Sequence, residues 1–134
     1  MSNLKFFIYG TLKKGGRFAD KFDDKRISVK SAIARGTMYS VAGGFPAVIF
    51  SPKDDEIFGE IHEYEDEKAI QSAFDLIEGF TKKNYTHNLY NRKIITVFDA
   101  AGNCEVCQTY EFNRPVVNLP KVKSGFWEVS NGNN

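Results

Sequence analysis

The stretch Lys5-Phe6-Phe7-Ile8-Tyr9-Gly10-Thr11-Leu12 constrains this chain most. Its apolar residues do not alternate with polar ones, so the strand predicted from Leu4 to Tyr9 leaves neither face to water. Such a strand belongs at the centre of a sheet, covered on both sides. It then stops at a Tyr-Gly-Thr-Leu turn and gives way to Lys13-Lys14-Gly15-Gly16. A buried strand that ends abruptly in a glycine turn presents backbone amides at the edge of the core, where a small anionic ligand can be held.

Beyond Gly15-Gly16, Arg17 to Lys25 is polar with Phe18, Ala19 and Phe22 at helical spacing, which predicts a short surface helix. From Ile27 to Val41 the pattern alternates (Ile27, Val29, Ala32, Ala34, then Thr37, Tyr39, Val41), and the change of spacing across Gly36 predicts a bend or bulge in a long strand. Gly43-Gly44-Phe45-Pro46 is turn punctuation before a short strand, Ala47 to Phe50, and the loop Ser51 to Asp55. Glu56 to Tyr64 is the next strand. One of its faces carries Ile57, Gly59, Ile61 and Glu63, and the other Phe58, Glu60, His62 and Tyr64. That second, polar face either lines a cavity, if an apolar wall stands opposite, or is ordinary exterior.

Asp66 to Glu78 has the clearest helical pattern, with Ala69, Ile70, Ala73, Phe74 and Ile77 on one stripe, Asp66-Glu67 complementing the dipole at its start and Gly79 as its C-cap. A strand region from Asn84 to Phe98 follows. The hairpin loop Asp99 to Asn103 joins it to a strand from Cys104 to Phe112, which should pair with it antiparallel. A last segment, Ser124 to Val129, has no helical periodicity, and Ser130 to Asn134 reads as a disordered tail. About six strands and one good helix, unevenly interspersed, predict an α+β domain whose sheet curls into a partly closed barrel able to hold a small ligand in its mouth.

A chain of 134 residues fits one domain, here 1–129, that buries roughly two-thirds of the surface its unfolded form exposes. The net charge of +1 supplies no general field for steering onto nucleic acid or an anionic membrane, so a ligand must be recognised locally. No apolar run approaches a membrane span and the N-terminal residues lack a signal-peptide pattern, so a cytoplasmic address is expected. The two cysteines, Cys104 and Cys107, are too few for a disulfide scaffold. Their spacing resembles that of a redox pair, but on a strand residues three apart face opposite sides. His62 and His87 do not complete a zinc module with them, and no metal or cofactor is expected. Lys13 to Arg17 lacks the spacing of a phosphate loop and reads as a solvated basic turn.

Glu78 is the most informatively placed chemical group. It follows Phe74 by one helical turn and so borders the apolar stripe, and it sits where the negative end of the helix dipole disfavours a carboxylate by roughly 0.3–1 kcal/mol. That raises its pKa by less than about one unit, so a general base at Glu78 needs partial burial as well. Taken alone, the helix describes an ordinary exposed glutamate.

The combination of segments says more. Tyr9-Gly10-Thr11-Leu12 after a first strand, Phe45-Pro46-Ala47-Val48 after a glycine turn, Gly59-Glu60-Ile61 in a strand, Phe74 to Gly79 at a helix end, and Tyr90-Asn91-Arg92 leading a strand together resemble the γ-glutamylcyclotransferase-like family. The similarity runs from Phe6 to about Phe112. The closing Ser124-Gly125-Phe126-Trp127 is similar too, with Phe126 where an acidic residue is more usual. The resemblance implies a small mixed barrel with flanking helices, a single catalytic glutamate at Glu78, and a substrate held by backbone groups of Tyr9, Gly10, Thr11 and Leu12. Tyr85, in the loop after Glu78, and Tyr110, on a strand, are further candidates for the pocket. The expected partner is a small γ-glutamyl compound. Two functions are consistent with this: cyclisation of a γ-glutamyl amine or peptide to 5-oxoproline, or non-catalytic binding of a metabolite or protein on the same fold. Neither the leaving amine nor the oligomeric state follows from the sequence.

Overall fold

In the computed structural model, residues 3–9, 26–42, 44–51, 54–65, 71, 75 and 88–127 are described. Six strands run in chain order: β1 (Leu4–Ile8), β2 (Arg26–Val41), β3 (Phe45–Phe50), β4 (Asp55–Tyr64), β5 (Tyr90–Asp99) and β6 (Cys104–Phe112). Their order in the sheet is β3-β2-β4-β1-β6-β5, and a further pairing of β2 with β5, at Ala32–Asp99 and Ile33–Phe98, joins the ends. Five strands therefore close into a barrel, where the sequence predicted partial closure, and β3 continues the sheet beyond β2. The barrel is mixed because β1 and β6 run parallel while its other pairs are antiparallel.

β1 occupies the central place its sequence demands, between β4 and β6, with Phe6, Phe7 and Ile8 all buried. Alternation sends its residues to two different cores. Phe7 and Tyr9 join Ala32, Ala34, Ile57, Ile61, Val97 and Cys107, drawn from all five barrel strands, so this cluster fills the interior. Phe6 and Ile8 join Tyr64, Tyr90, Tyr110 and Phe112 on the outer face. Burial of both clusters, at roughly 1.5–3 kcal/mol per large side chain, is the main force holding the strands.

The long strand β2 keeps one parity throughout: Ala32, Ala34, Gly36 and Met38 are buried in turn. The change of face predicted at Gly36 does not occur, and the register irregularity lies between Arg26 and Ser28. Gly36 is instead the point where β2 leaves β4 for β3, paired with Asp55 on one side and Phe50 on the other. A Cβ there would stand 2.4 Å from the Ile49 carbonyl oxygen, so close backbone approach, not bulging, requires the glycine.

At one end of the barrel, Lys5, Lys30, Asp99 and Glu105 continue the inward-facing parity of Phe7, Ala32, Val97 and Cys107. There Glu105 pairs with Lys5 at 3.0 Å and also with Lys30, which lies 3.5 Å from Asp99. These hydrogen bonds hold the Glu105 carboxyl below its usual range, that to Lys30 contributing most, and raise both lysines. The other end is where β1 runs out at Tyr9.

The Asp99–Asn103 turn joins β5 to β6 as expected, with Asp99 Oδ1 accepting the backbone N–H of Ala101 and Asn103. Of the expected Asp66–Glu78 helix, Gln71 and Asp75 are described, and both are helical. The rest of that helix, the Arg17–Lys25 helix and the 130–134 tail lie outside the described residues. No helix among the described residues is long and apolar enough to cross a membrane.

Candidate functional site

The feature that most affects the site is where β1 stops. Ile8 pairs with Glu60 of β4, but β4 continues past it to Asp55. The vacated side of β4 is taken by the closing segment: the Phe58 N–H donates to the Gly125 carbonyl at 2.8 Å, and Phe58 bridges Phe126 in parallel register. Gly125 has φ of 69°, and a Cβ there would stand 2.0 Å from the Glu56 carbonyl oxygen, so this contact requires glycine twice over. β1 and the closing segment thus follow one another along the same side of β4.

Tyr9 and Tyr110 are the predicted site residues that the structure describes, and it brings them together. The Tyr9 hydroxyl donates a short hydrogen bond to the Tyr110 backbone carbonyl, tying the end of β1 to β6. The Tyr110 ring lies on the outer face, stacked on Phe6 with centroids 6.4 Å apart. Its hydroxyl donates to Asp75 Oδ1 at 2.6 Å. Arg92, the register partner of Tyr110 on β5, donates to Asp75 Oδ2 at 2.7 Å, and Gln71 Nε2 reaches Asp75 Oδ1 at 3.3 Å. Gly10, Thr11, Leu12, Glu78 and Tyr85 lie outside the described residues.

Sequence reasoning assigned no role to Asp75 or Arg92. Asp75 is one position past the apolar stripe residue Phe74, and Arg92 lies near the start of the strand it faces. An aspartate bordering the apolar stripe and an arginine near the start of the next strand were the available signal. Both oxygens of Asp75 are engaged by Tyr110, Arg92 and Gln71. The cluster is therefore suited to holding the helix against the barrel, not to moving protons.

A second group flanks β1 on its other side. His62 is fully buried, with Nε2 at 2.8 Å from Glu60 Oε1 and Nδ1 at 3.4 Å from the Tyr64 hydroxyl. Of the two readings of this polar face, the covered one holds: His62 and Tyr64 are buried, and Phe58 and Glu60, half-buried, line a pocket. Arg92, Tyr110, Ile8 and Glu60 consequently form one row on the outer face, across β5, β6, β1 and β4.

Cys104 is exposed and Cys107 buried, on opposite faces as strand geometry requires. Burial, then the nearby Glu105 charge, pushes the Cys107 thiol up to about 11, which makes it a poor nucleophile. No group of histidine, cysteine, aspartate and glutamate side chains among the described residues could hold a metal ion.

The family model described as "Gamma-glutamyl cyclotransferase, AIG2-like" matches residues 6–129. Among solved structures, YkqA from Bacillus subtilis is 26% identical with a TM-score of 0.66; the alignment covers 94% of this chain but only 40% of that protein. An AIG2-like protein from Mus musculus is 18% identical with a TM-score of 0.74, covering 96% of this chain and 90% of the other. A structure named gamma-glutamyl cyclotransferase is 16% identical with a TM-score of 0.56, covering 90% and 70%. The two likenesses below 25% identity establish the fold. No curated protein matches the sequence.

Proposed function

Because the chain belongs to the γ-glutamyl cyclotransferase, AIG2-like family, whose membership supports a cyclotransferase-type function, we propose that it converts a γ-glutamyl amine or peptide to 5-oxoproline and the free amine. The substrate carries its own nucleophile. Its α-amino group attacks the γ-carbonyl, a carbon–nitrogen bond closes the five-membered ring, and the original amide bond to the leaving amine breaks. Holding the geometry of such an intramolecular attack is worth about 7–11 kcal/mol of barrier. The protein has to fold the substrate, remove a proton from the ammonium, support the oxyanion and return a proton to the leaving nitrogen.

Glu78 performs both proton steps in this reading, as general base and then general acid. Amides of Gly10, Thr11 and Leu12 bind the substrate carboxylate or the developing oxyanion, and the missing side chain at Gly10 leaves that approach open. Tyr9, Tyr85 and Tyr110 supply walls.

The observation that carries the proposal is the junction at Tyr110. Its carbonyl holds Tyr9, the residue before Gly10, and its hydroxyl holds Asp75, three positions before Glu78. Residues three apart on a helix are neighbours on one side, so a helix that runs on to Glu78 carries its carboxyl about 4.5 Å further along the axis from a residue anchored to the Tyr110 hydroxyl. Tyr110 thus contacts a residue next to each half of the inferred site, which supports the reading.

Incubation with a panel of γ-glutamyl compounds, assayed for 5-oxoproline, tests the reading. Product is expected from at least one compound, and Glu78→Gln should lower the rate by about 10²–10⁴-fold. Equal rates for Glu78→Gln and the parent would sink the mechanism, and no product from any compound would favour non-catalytic binding.

A further inference from the structure

We infer that the slit between β3 and β5 is a docking site for an acidic peptide segment of another protein, bound as an added strand along the free edge of β5. The slit arises because two strands share one edge of β2. Ile33 pairs with Phe98 of β5, and from Gly36 onward β2 pairs with β3. The Arg35 carbonyl accepts the Ser51 N–H at 3.1 Å, so the end of β3 already stands where β5 would continue. β5 is therefore turned away from β2 and runs back to Tyr90 paired with β6 alone. A cavity of about 480 Å³ opens there, with Arg35 and Phe50 on one side and Lys93, Ile95, Thr96 and Phe98 on the other.

The free edge follows from strand alternation. The Asp99 N–H donates to the Asn103 carbonyl, on the β6 side. Successive residues of an antiparallel ladder present their backbone groups to opposite sides, so Val97 and Ile95 bond to β6, and the N–H and C=O of Thr96 and Ile94 face the slit. They have no backbone partner among the described residues. Thr96 is exposed, Ile94 is 71% exposed, and the Phe98 ring beside them is also exposed. An open edge that carries apolar side chains is a template for another strand, and strand addition draws affinity from main-chain bonds and specificity from side chains. Charge identifies the strand. Arg35 and Lys93 line the slit, both half-exposed, and no carboxylate lines it among the described residues. Arg35 lies 3.9 Å from Glu56 and Lys93 3.3 Å from Glu111, which leaves donors on both cations for a further anion. The facing edge of β3 already receives a carboxylate, since Glu111 Oε2 accepts the Phe50 N–H at 2.9 Å. A second copy of β5 would set these cations against their own kind, which disfavours self-pairing.

The probe is a blocked hexapeptide of alternating glutamate and valine, with the alternating lysine and valine peptide as its charge-reversed counterpart. Titration should shift the amide resonances of Ile94, Thr96 and Phe98, and at about ten times Kd hydrogen exchange at Ile94 and Thr96 should slow about tenfold. The lysine peptide should bind at least about tenfold more weakly, and Arg35→Gln should weaken the glutamate peptide by on the order of tenfold, the size of one hydrogen bond to a charged group. Thr96→Pro removes an edge N–H where an edge strand tolerates proline, and should abolish the protection at Ile94 while thermal unfolding shows the fold intact. The glutamate peptide N-methylated at every amide keeps its charge, loses its donors and should not bind, whatever the fate of Thr96→Pro. Absence of the shifts, equal binding of the two charged peptides, or undiminished binding by the N-methylated peptide or by a folded Thr96→Pro overturns the inference. So does a dimer in sedimentation that Thr96→Pro dissociates, which would assign the edge to a second copy of this chain.

Discussion

Asp75 should contribute measurably to holding the helix against the barrel. It accepts hydrogen bonds from Tyr110 and Arg92 at 2.6 and 2.7 Å, and both charged side chains are only about one-fifth exposed, 20% for Asp75 and 19% for Arg92. Breaking one partner out of a fully buried pair costs about 3–5 kcal/mol; the remaining solvent access here reduces that to roughly 2–3 kcal/mol for Asp75→Ala. The better helix propensity of alanine returns about 0.5 kcal/mol. Asp75→Asn keeps an acceptor for Tyr110 and loses the charge opposite Arg92, so about 1 kcal/mol is expected. Urea and thermal unfolding followed by circular dichroism measure both. At roughly 3–5 °C per kcal/mol for a chain of this size, Asp75→Ala should lower Tm by about 5–12 °C, and a cycle with Tyr110→Phe should show a coupling near 1 kcal/mol. An Asp75→Ala protein within about 0.5 kcal/mol of the parent, with an unchanged denaturant slope, would refute the reasoning.

Two glycines with similar positive φ should respond differently to alanine. Gly102→Ala, with φ of 86° and nothing within 4 Å of the added Cβ, should cost about 1–2 kcal/mol, whereas Gly125→Ala, facing the Glu56 oxygen at 2.0 Å, should cost more and release the closing segment, read as faster hydrogen exchange at Phe58. Alkylation of the native protein near pH 8 followed by mass measurement should add one group, at exposed Cys104, and a second only after unfolding; rapid double labelling would contradict the burial and raised pKa of Cys107. The folded-state pKa of Glu105 is below its ordinary 4.5, so its contribution is complete above about pH 4.5 and fades as pH falls through the lower value. Glu105→Gln should therefore be less stable than the parent near pH 7, with the gap narrowing as pH falls below about 4.5; a gap that stays constant as the parent is acidified until it unfolds would count against the network.

The strands were legible because their signals are local. The apolar run at Phe6 to Ile8 required a central position, and the Asp99–Asn103 turn required that β5 and β6 pair. Closure was less legible, since the Ala32–Asp99 and Ile33–Phe98 pairing joins residues far apart in sequence and leaves no periodic trace. Gly36 misled because a glycine within an alternating strand signals bulging and close backbone approach equally well, and only the partner strand distinguishes them. Tyr9 and Tyr110 were singled out through the resemblance of the turn and the strand, and the structure brings the two into contact. Asp75, Arg92 and His62 were not, because their roles arise from partners brought by other elements: a buried imidazole beside Glu60 looks, in sequence, like any alternating polar residue on a strand.

The succession of β1 and the closing segment along one side of β4 has a consequence for how the molecule comes into being. Ile8 and Gly125 are near-collinear neighbours on the same strand although more than a hundred residues separate them. During synthesis the first of these must wait for the second, and for β6, before the pocket wall between them exists. A chain that ends before residue 124 could pair β2 with β3 and β4 and still lack that wall of the pocket. The fold thereby leaves this wall unbuilt until residues 125 and 126 have been added.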